Sequence, residues 1–205
     1  HIIVNPDWTV PPKLARQDIL PKVRENPSYL AEHNFTVFSG WSAEARRLDP
    51  ASIDWSGIGG KSFPYKLVQA PGPNNALGRI KFMLPNRYNV YLHDTPSREL
   101  FDRTTRAFSS GCVRLAKPLE LADHLLRDQP DWDPSRLRAA IDSGRTMRIN
   151  LPVSIPVYFT YFTAWVDDDG TVQFRDDVYD RDASLYAALR DQLIIQTSPP
   201  VRPGQ

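Results

Sequence analysis

Tyr88-Asn89-Val90-Tyr91-Leu92-His93-Asp94-Thr95-Pro96-Ser97 leads through a polar stretch into Phe108-Ser109-Ser110-Gly111-Cys112-Val113-Arg114-Leu115. Residues 88–93 are rich in aromatic and β-branched side chains and predict a strand that ends on a histidine. Asp94-Thr95-Pro96 predicts a turn, and the charged segment 97–106 a short helix or loop. Cys112 is the single cysteine of the chain. A cysteine attacks as its thiolate, which is scarce at neutral pH with an ordinary pKa of about 8.5. A histidine within hydrogen-bond reach can take that proton, and His93, at the end of the preceding strand, is the candidate. Gly111 has no Cβ, so the main chain there can approach a substrate carbonyl closely. The N–H groups of Gly111 and Cys112 then form a candidate oxyanion hole, a feature worth ~3 kcal/mol of barrier. Tyr91 alternates with His93 on one strand face, which suits either pocket lining or core packing. Arg114 suits either a substrate carboxylate or a bracing role in its loop. Residue chemistry alone leaves a second reading open, in which Cys112 is a small buried hydrophobe and His93 a satisfied core histidine.

Outward from this stretch, strands are expected at Ile2 to Val4, Phe35 to Phe38, Tyr65 to Val68, Gly78 to Phe82, Thr146 to Leu151, Val157 to Val166 and Thr171 to Arg175. Asp168-Asp169-Gly170 predicts the hairpin turn joining the last two. Helices are expected from Pro11 to Leu20, interrupted or kinked at Pro21, and from Pro27 to His33 with Asn26 as cap. Two more run from Pro118 to Arg127 and from Asp133-Pro134 to a stop at Gly144. A last helix is expected from Asp182, with a frayed tail from Ser198. Residues 13–66 read as a partly helical insertion, a lid or cap with too few apolar residues for an independent core. The division expected is therefore a catalytic domain of 1–12 and 67–180, a capping subdomain of 13–66, and a carboxy-terminal helix and tail of 181–205. His33 in the cap and His124 among helical leucines read as surface or packing residues.

A chain of 205 residues with 41% hydrophobic content can bury a real core. Its 25 Lys+Arg and 24 Asp+Glu are interspersed, so no basic run suggests a nucleic-acid groove. The most apolar stretch, Ile155 to Val166, is too short for a spanning helix and carries Pro156. The chain opens on His1-Ile2-Ile3-Val4, a strand already under way, so an export signal or membrane anchor would precede residue 1. One cysteine excludes an internal disulfide and a Cys-rich zinc site. In an exported protein, an unpaired thiol calls for a reason to exist.

The run Tyr91-Leu92-His93-Asp94-Thr95-Pro96-Ser97 followed by Ser109-Ser110-Gly111-Cys112-Val113-Arg114 resembles the two-part signature of the YkuD-type L,D-transpeptidases. Asn5 to Pro11, Ala70 to Pro73 and Leu77 to Phe82 resemble the capped YcbB-type branch of Gram-negative bacteria. Where many members carry a second histidine this chain has Ser110, which the capped branch shares; His93 is left as the one histidine beside the motif. The resemblance implies an α+β, mainly β fold: a β-sandwich-like catalytic domain with a partly helical capping insertion. It further implies a periplasmic enzyme acting on peptidoglycan stem peptides, with a tetrapeptide donor and a diaminopimelate amine as acceptor. Cys112 would form a thioester with loss of D-Ala, His93 would move the protons, and the amine would close a 3→3 cross-link. Tyr91, Asp94, Ser110 and Arg114 would bind substrate or support the site, carbapenems would inhibit it, and no metal or cofactor is called for. Water as acceptor would make it an L,D-carboxypeptidase, and a lipoprotein lysine would make it an attachment enzyme. A catalytically silent peptidoglycan-binding module is the reading from another class, and the intact His93/Cys112 pair argues against it.

Overall fold

The computed structural model describes residues 1–59, 63–108 and 111–197, with side chains described up to Arg190. In chain order the strands are β1 (Ile2–Val4), β2 (Trp8–Thr9), β3 (Phe35–Phe38), β4 (Arg47–Leu48), β5 (Lys66–Gln69), β6 (Ile80–Phe82), β7 (Leu92–His93), β8 (Val113–Arg114), β9 (Met147–Ile149), β10 (Ala164–Val166) and β11 (Val172–Phe174). The helices are α1 (Pro12–Leu14), α2 (Leu20–Glu25), α3 (Tyr29–Glu32), α4 (Pro118–Leu126), α5 (Pro134–Asp142) and α6 (Asp182–Thr197). Contacts divide the chain into two compact units, 1–154 and a second beginning at Ile155. The hairpin β10–β11 belongs to that second unit, so the boundary falls well before residue 180.

In the first unit, five strands form a sheet in the order β8-β7-β6-β1-β9, antiparallel except for the β7–β8 pair. Alternation sends Ile2, Val4, Ile80, Phe82 and Ile149 to one face, where they pack with Ala122 and Leu126 of α4 and Leu137, Ala140 and Ile141 of α5. The opposite face carries a row set by register: Arg148 beside Ile3, Ile3 beside Lys81, Lys81 beside His93, and His93 beside Arg114. The amphipathic faces of α4 and α5 thus cover one side of the sheet and leave the other for chemistry.

A second sheet, β2-β5-β3-β4, is antiparallel throughout. The segment 13–66 supplies most of a second hydrophobic cluster, which residues flanking the segment complete. Ala15, Ile19, Leu20, Val23, Leu30, Phe35, Val37, Trp55 and Phe63 are buried together with Val10 and Leu67. The count from sequence missed the flanks: β2 and β5, the strands entering and leaving the insertion, pair with each other, and Val10, just after β2, and Leu67 of β5 join the cluster. Pro21 is accommodated by a π-helical turn, Ala15–Ile19, between α1 and α2. Asn26 does not cap α3; Ser28 holds that position, and the Asn26 carboxamide accepts the Ser28 N–H instead.

The strand expected over 88–93 is confined to Leu92–His93. Asn86 takes over the residues before it, accepting the N–H groups of Tyr88 and Val90 and donating to the carbonyls of Leu84 and Val90. Such side-chain-to-backbone bonds compete with a ladder and make a turn. The strand expected over 157–166 shortens likewise to Ala164–Val166, and Gly170 turns the hairpin as expected. The tail from Ser198 lies outside the described residues. No described helix is long and apolar enough to cross a membrane.

Candidate active site

β7 and β8 run side by side because Val113 N–H donates to the Tyr91 carbonyl at 3.1 Å and Leu115 N–H to that of His93 at 2.9 Å. This register sets half-buried Cys112 level with Tyr91, and Arg114 level with His93, on the face away from the helices. The Tyr91 hydroxyl is hydrogen-bonded to the Cys112 sulfur. Burial foremost, then the charge of a Cys112 thiolate and that hydrogen bond, push the Tyr91 phenol upward, so it stays a protonated donor. The Tyr91 and His93 rings meet edge to face at 5.8 Å between centroids.

His93 is buried, 5% exposed. Its Nδ1 is hydrogen-bonded to the Asp94 carbonyl. A carbonyl can only accept, so Nδ1 carries the proton and Nε2 is the basic nitrogen. Burial foremost pushes the imidazole below its usual range, and the charges of Arg114 and Lys81 push the same way. The hydrogen bond to Asp94 and its carboxylate charge oppose them. His93 is thereby kept in its neutral form, the one a general base needs.

The Asp94 side chain is engaged within the protein. Its buried carboxylate accepts the N–H groups of Arg79 and Thr95, both at 2.8 Å, and pairs with Arg98. Arg98 also donates to the Ala116 carbonyl, joining the turn after β7 to the segment after β8. Gly78, at φ +62°, lies so close to Asp94 that an added Cβ would stand 2.4 Å from its carboxyl carbon. Gly111 has φ +128°, a conformation that suits glycine, and its exposed backbone leaves room for a ligand. Arg114 is half-buried beside His93. Ser110 and its neighbour Ser109 lie outside the described residues.

Lys81 was not singled out from sequence, yet it joins the group directly: its Nζ stands 3.8 Å from the centroid of the Tyr91 ring. Asp7, in the link between β1 and β2, adds a negative charge that acts on Lys81. No local pattern could show this, because the position of Lys81 is set by pairing across β6 and β7. His33 and His124 stand apart from the group: His33 stacks on Tyr29, and His124 is exposed on α4.

The arrangement provides a thiol, a neutral imidazole with one fixed tautomer, a phenol donor and two cations on one sheet face. A family model for the L,D-transpeptidase catalytic domain matches residues 1–155. The chain is also 40% identical over 186 residues to a Haemophilus influenzae protein named "Putative L,D-transpeptidase", an alignment covering 90% of this chain and 37% of that protein. The chain thus spans little more than a third of the curated relative it matches. The matched range covers the whole first compact unit, with both of its sheets and the Cys112 face: the chain belongs to the YkuD family of L,D-transpeptidase catalytic domains.

Proposed function

We propose that this chain is the catalytic part of a periplasmic L,D-transpeptidase of the capped YcbB type that forms 3→3 cross-links in peptidoglycan. The observation that carries the reading is the grouping of Cys112, Tyr91 and His93 on one sheet face, with His93 held as a neutral base. His93 Nε2 takes the Cys112 proton, and the thiolate attacks the carbonyl of the third stem residue. Charge on the resulting oxyanion is met by the N–H groups of Gly111 and Cys112. The tetrahedral intermediate collapses to a thioester as His93 returns its proton to the departing D-Ala amine. The diaminopimelate amine of a second stem then attacks the thioester, gives its proton to His93 and restores the thiol. Arg114, level with His93, takes a substrate carboxylate, and residues 13–66 act as a cap over the stem peptides.

Incubation with a carbapenem followed by intact-mass spectrometry should give one covalent adduct in the wild type and none in Cys112→Ala. An adduct that survives the substitution overturns the nucleophile. With disaccharide-tetrapeptide as substrate, 3→3 dimers are expected. Tripeptide alone would mean that water is the acceptor, and transfer only to a lipoprotein lysine would mean attachment chemistry.

A further inference from the structure

The Cys112 face carries more positive charge than a Cys–His pair requires. Lys81 stands beside His93 from β6, Arg114 from β8, and the Asp94 carboxylate is already engaged by Arg98 and two backbone N–H groups. In a simple thiolate–imidazolium pair the protonated histidine is the counter-ion. Here two cations flank that histidine and disfavour a third charge upon it. A further cation on the same face can therefore share in balancing the sulfur.

We infer that Lys81 is a positioning residue that supplies the fixed counter-charge of the Cys112 thiolate, acting across the Tyr91 ring whose hydroxyl donates to the sulfur. The inference rests on the proposed role of Cys112 as nucleophile. Its geometry is the half-buried ammonium 3.8 Å from the Tyr91 ring centroid, with Tyr91 bonded in turn to Cys112. A cation on the ring face draws electron density from the phenol and makes it a stronger donor to an anion. Among the described residues Lys81 has no carboxylate within ion-pair distance. Burial pushes its ammonium downward, and the negative charges of Asp7 and Cys112 act in the other direction. The charged and titratable groups around the sulfur are Lys81 on β6, Tyr91 and His93 on β7 and Arg114 on β8, with Asp7 acting on Lys81 from the β1–β2 link. Lys81 alone among them combines a cationic head group with a recorded contact to the Tyr91 ring. His93 then rests in its neutral form and carries a second proton only in passing, between Cys112 and the substrate amines.

The test is the pH dependence of Cys112 alkylation by iodoacetamide, in the full chain, for wild type, Lys81→Met, Lys81→Arg and Arg114→Gln. The His93 ring is titrated by NMR in the same proteins, and thermal unfolding checks that each is folded. Lys81→Met should slow alkylation near neutral pH about tenfold and move its rate profile to higher pH. The His93 titration should also move up, because a neighbouring cation is gone, and Lys81→Arg should restore both. A Lys81→Met profile superimposable on wild type overturns the inference. So does an upward shift in Arg114→Gln with none in Lys81→Met. Alkylation reads the sulfur without substrate, which separates the two ideas. A normal Lys81 effect without acyl transfer would sink only the transpeptidase reading. Carbapenem acylation of Cys112 with no Lys81 effect would sink only this one.

Discussion

His93 ends its strand with Nδ1 bonded to the Asp94 carbonyl and its ring buried among cations, and this affects stability as well as chemistry. The unfolded imidazole titrates near its ordinary value of about 6.5, and the folded one lower. Between those two values the unfolded chain binds the additional proton, so stability falls as pH drops through that window and is fully retained above it. Urea unfolding should therefore show a larger loss between about pH 7 and about pH 5 in wild type than in His93→Gln. Equal losses would mean that another group governs acid sensitivity. Tyr91→Phe keeps the ring beneath Lys81 and deletes the donor to Cys112. Carbapenem acylation should slow by about tenfold or more, as expected when a hydrogen bond to a charged group is lost, with little change in thermal midpoint. Acylation at the wild-type rate would leave Tyr91 a packing residue. Cys112 and His93 were legible because their motif is local in sequence. Lys81 was not, since nothing near residue 81 reveals that it pairs with residue 93.

The link from β5 to β7 is where elements become a site. Gln69 donates to the carbonyls of His33 and Asn74 and accepts the Ala76 N–H, and Asn75 donates to the carbonyls of Gln69 and Ala70. This polar knot fixes the exit from the second sheet. Gly78 and Asp94 then bring β6 and the turn after β7 into close contact. Gly78→Ala would meet both a positive φ and an obstructing carboxylate, so it should destabilise the fold by about 3 kcal/mol or more in chemical denaturation. Asp94→Ala leaves two backbone donors without their acceptor and should cost about 2–4 kcal/mol. A loss below about 1 kcal/mol for either would remove the bracket. Sequence reading found most elements of both sheets and both long helices of the first unit, since Asp133-Pro134 and the apolar spacing of 118–126 are strong local signals. It overextended the strand before His93 because aromatic and β-branched content was weighed above the turn chemistry of Asn86. Gly78 was seen as part of a strand; instead it closes a turn at φ +62°, its N–H donating to the Asn75 carbonyl, and the close approach of Asp94 is a contact no local pattern shows.

At the scale of the whole molecule, apolar burial is divided unevenly. The first unit holds both hydrophobic clusters, one beneath the helices α4 and α5 and one within the inserted segment. Composition could not separate these two cores, because the one beneath the helices draws residues from both sides of the segment that builds the other. Among the described side chains of the second unit none is buried, and Tyr158, Phe162, Phe174 and Tyr186 are all more than 60% exposed. A lone two-stranded hairpin and a helix none of whose described side chains is buried contribute little stability of their own. Residues 1–154 should therefore fold without the rest. A protein ending at Ser154 is expected to melt cooperatively by circular dichroism, with a midpoint within a few degrees of the full chain. Cys112 should be alkylated at an unchanged rate, since every group named around it lies in that unit. Loss of cooperative melting would show that the second unit supports the first. Unchanged melting with slowed alkylation would show instead that it acts on the site without carrying the fold.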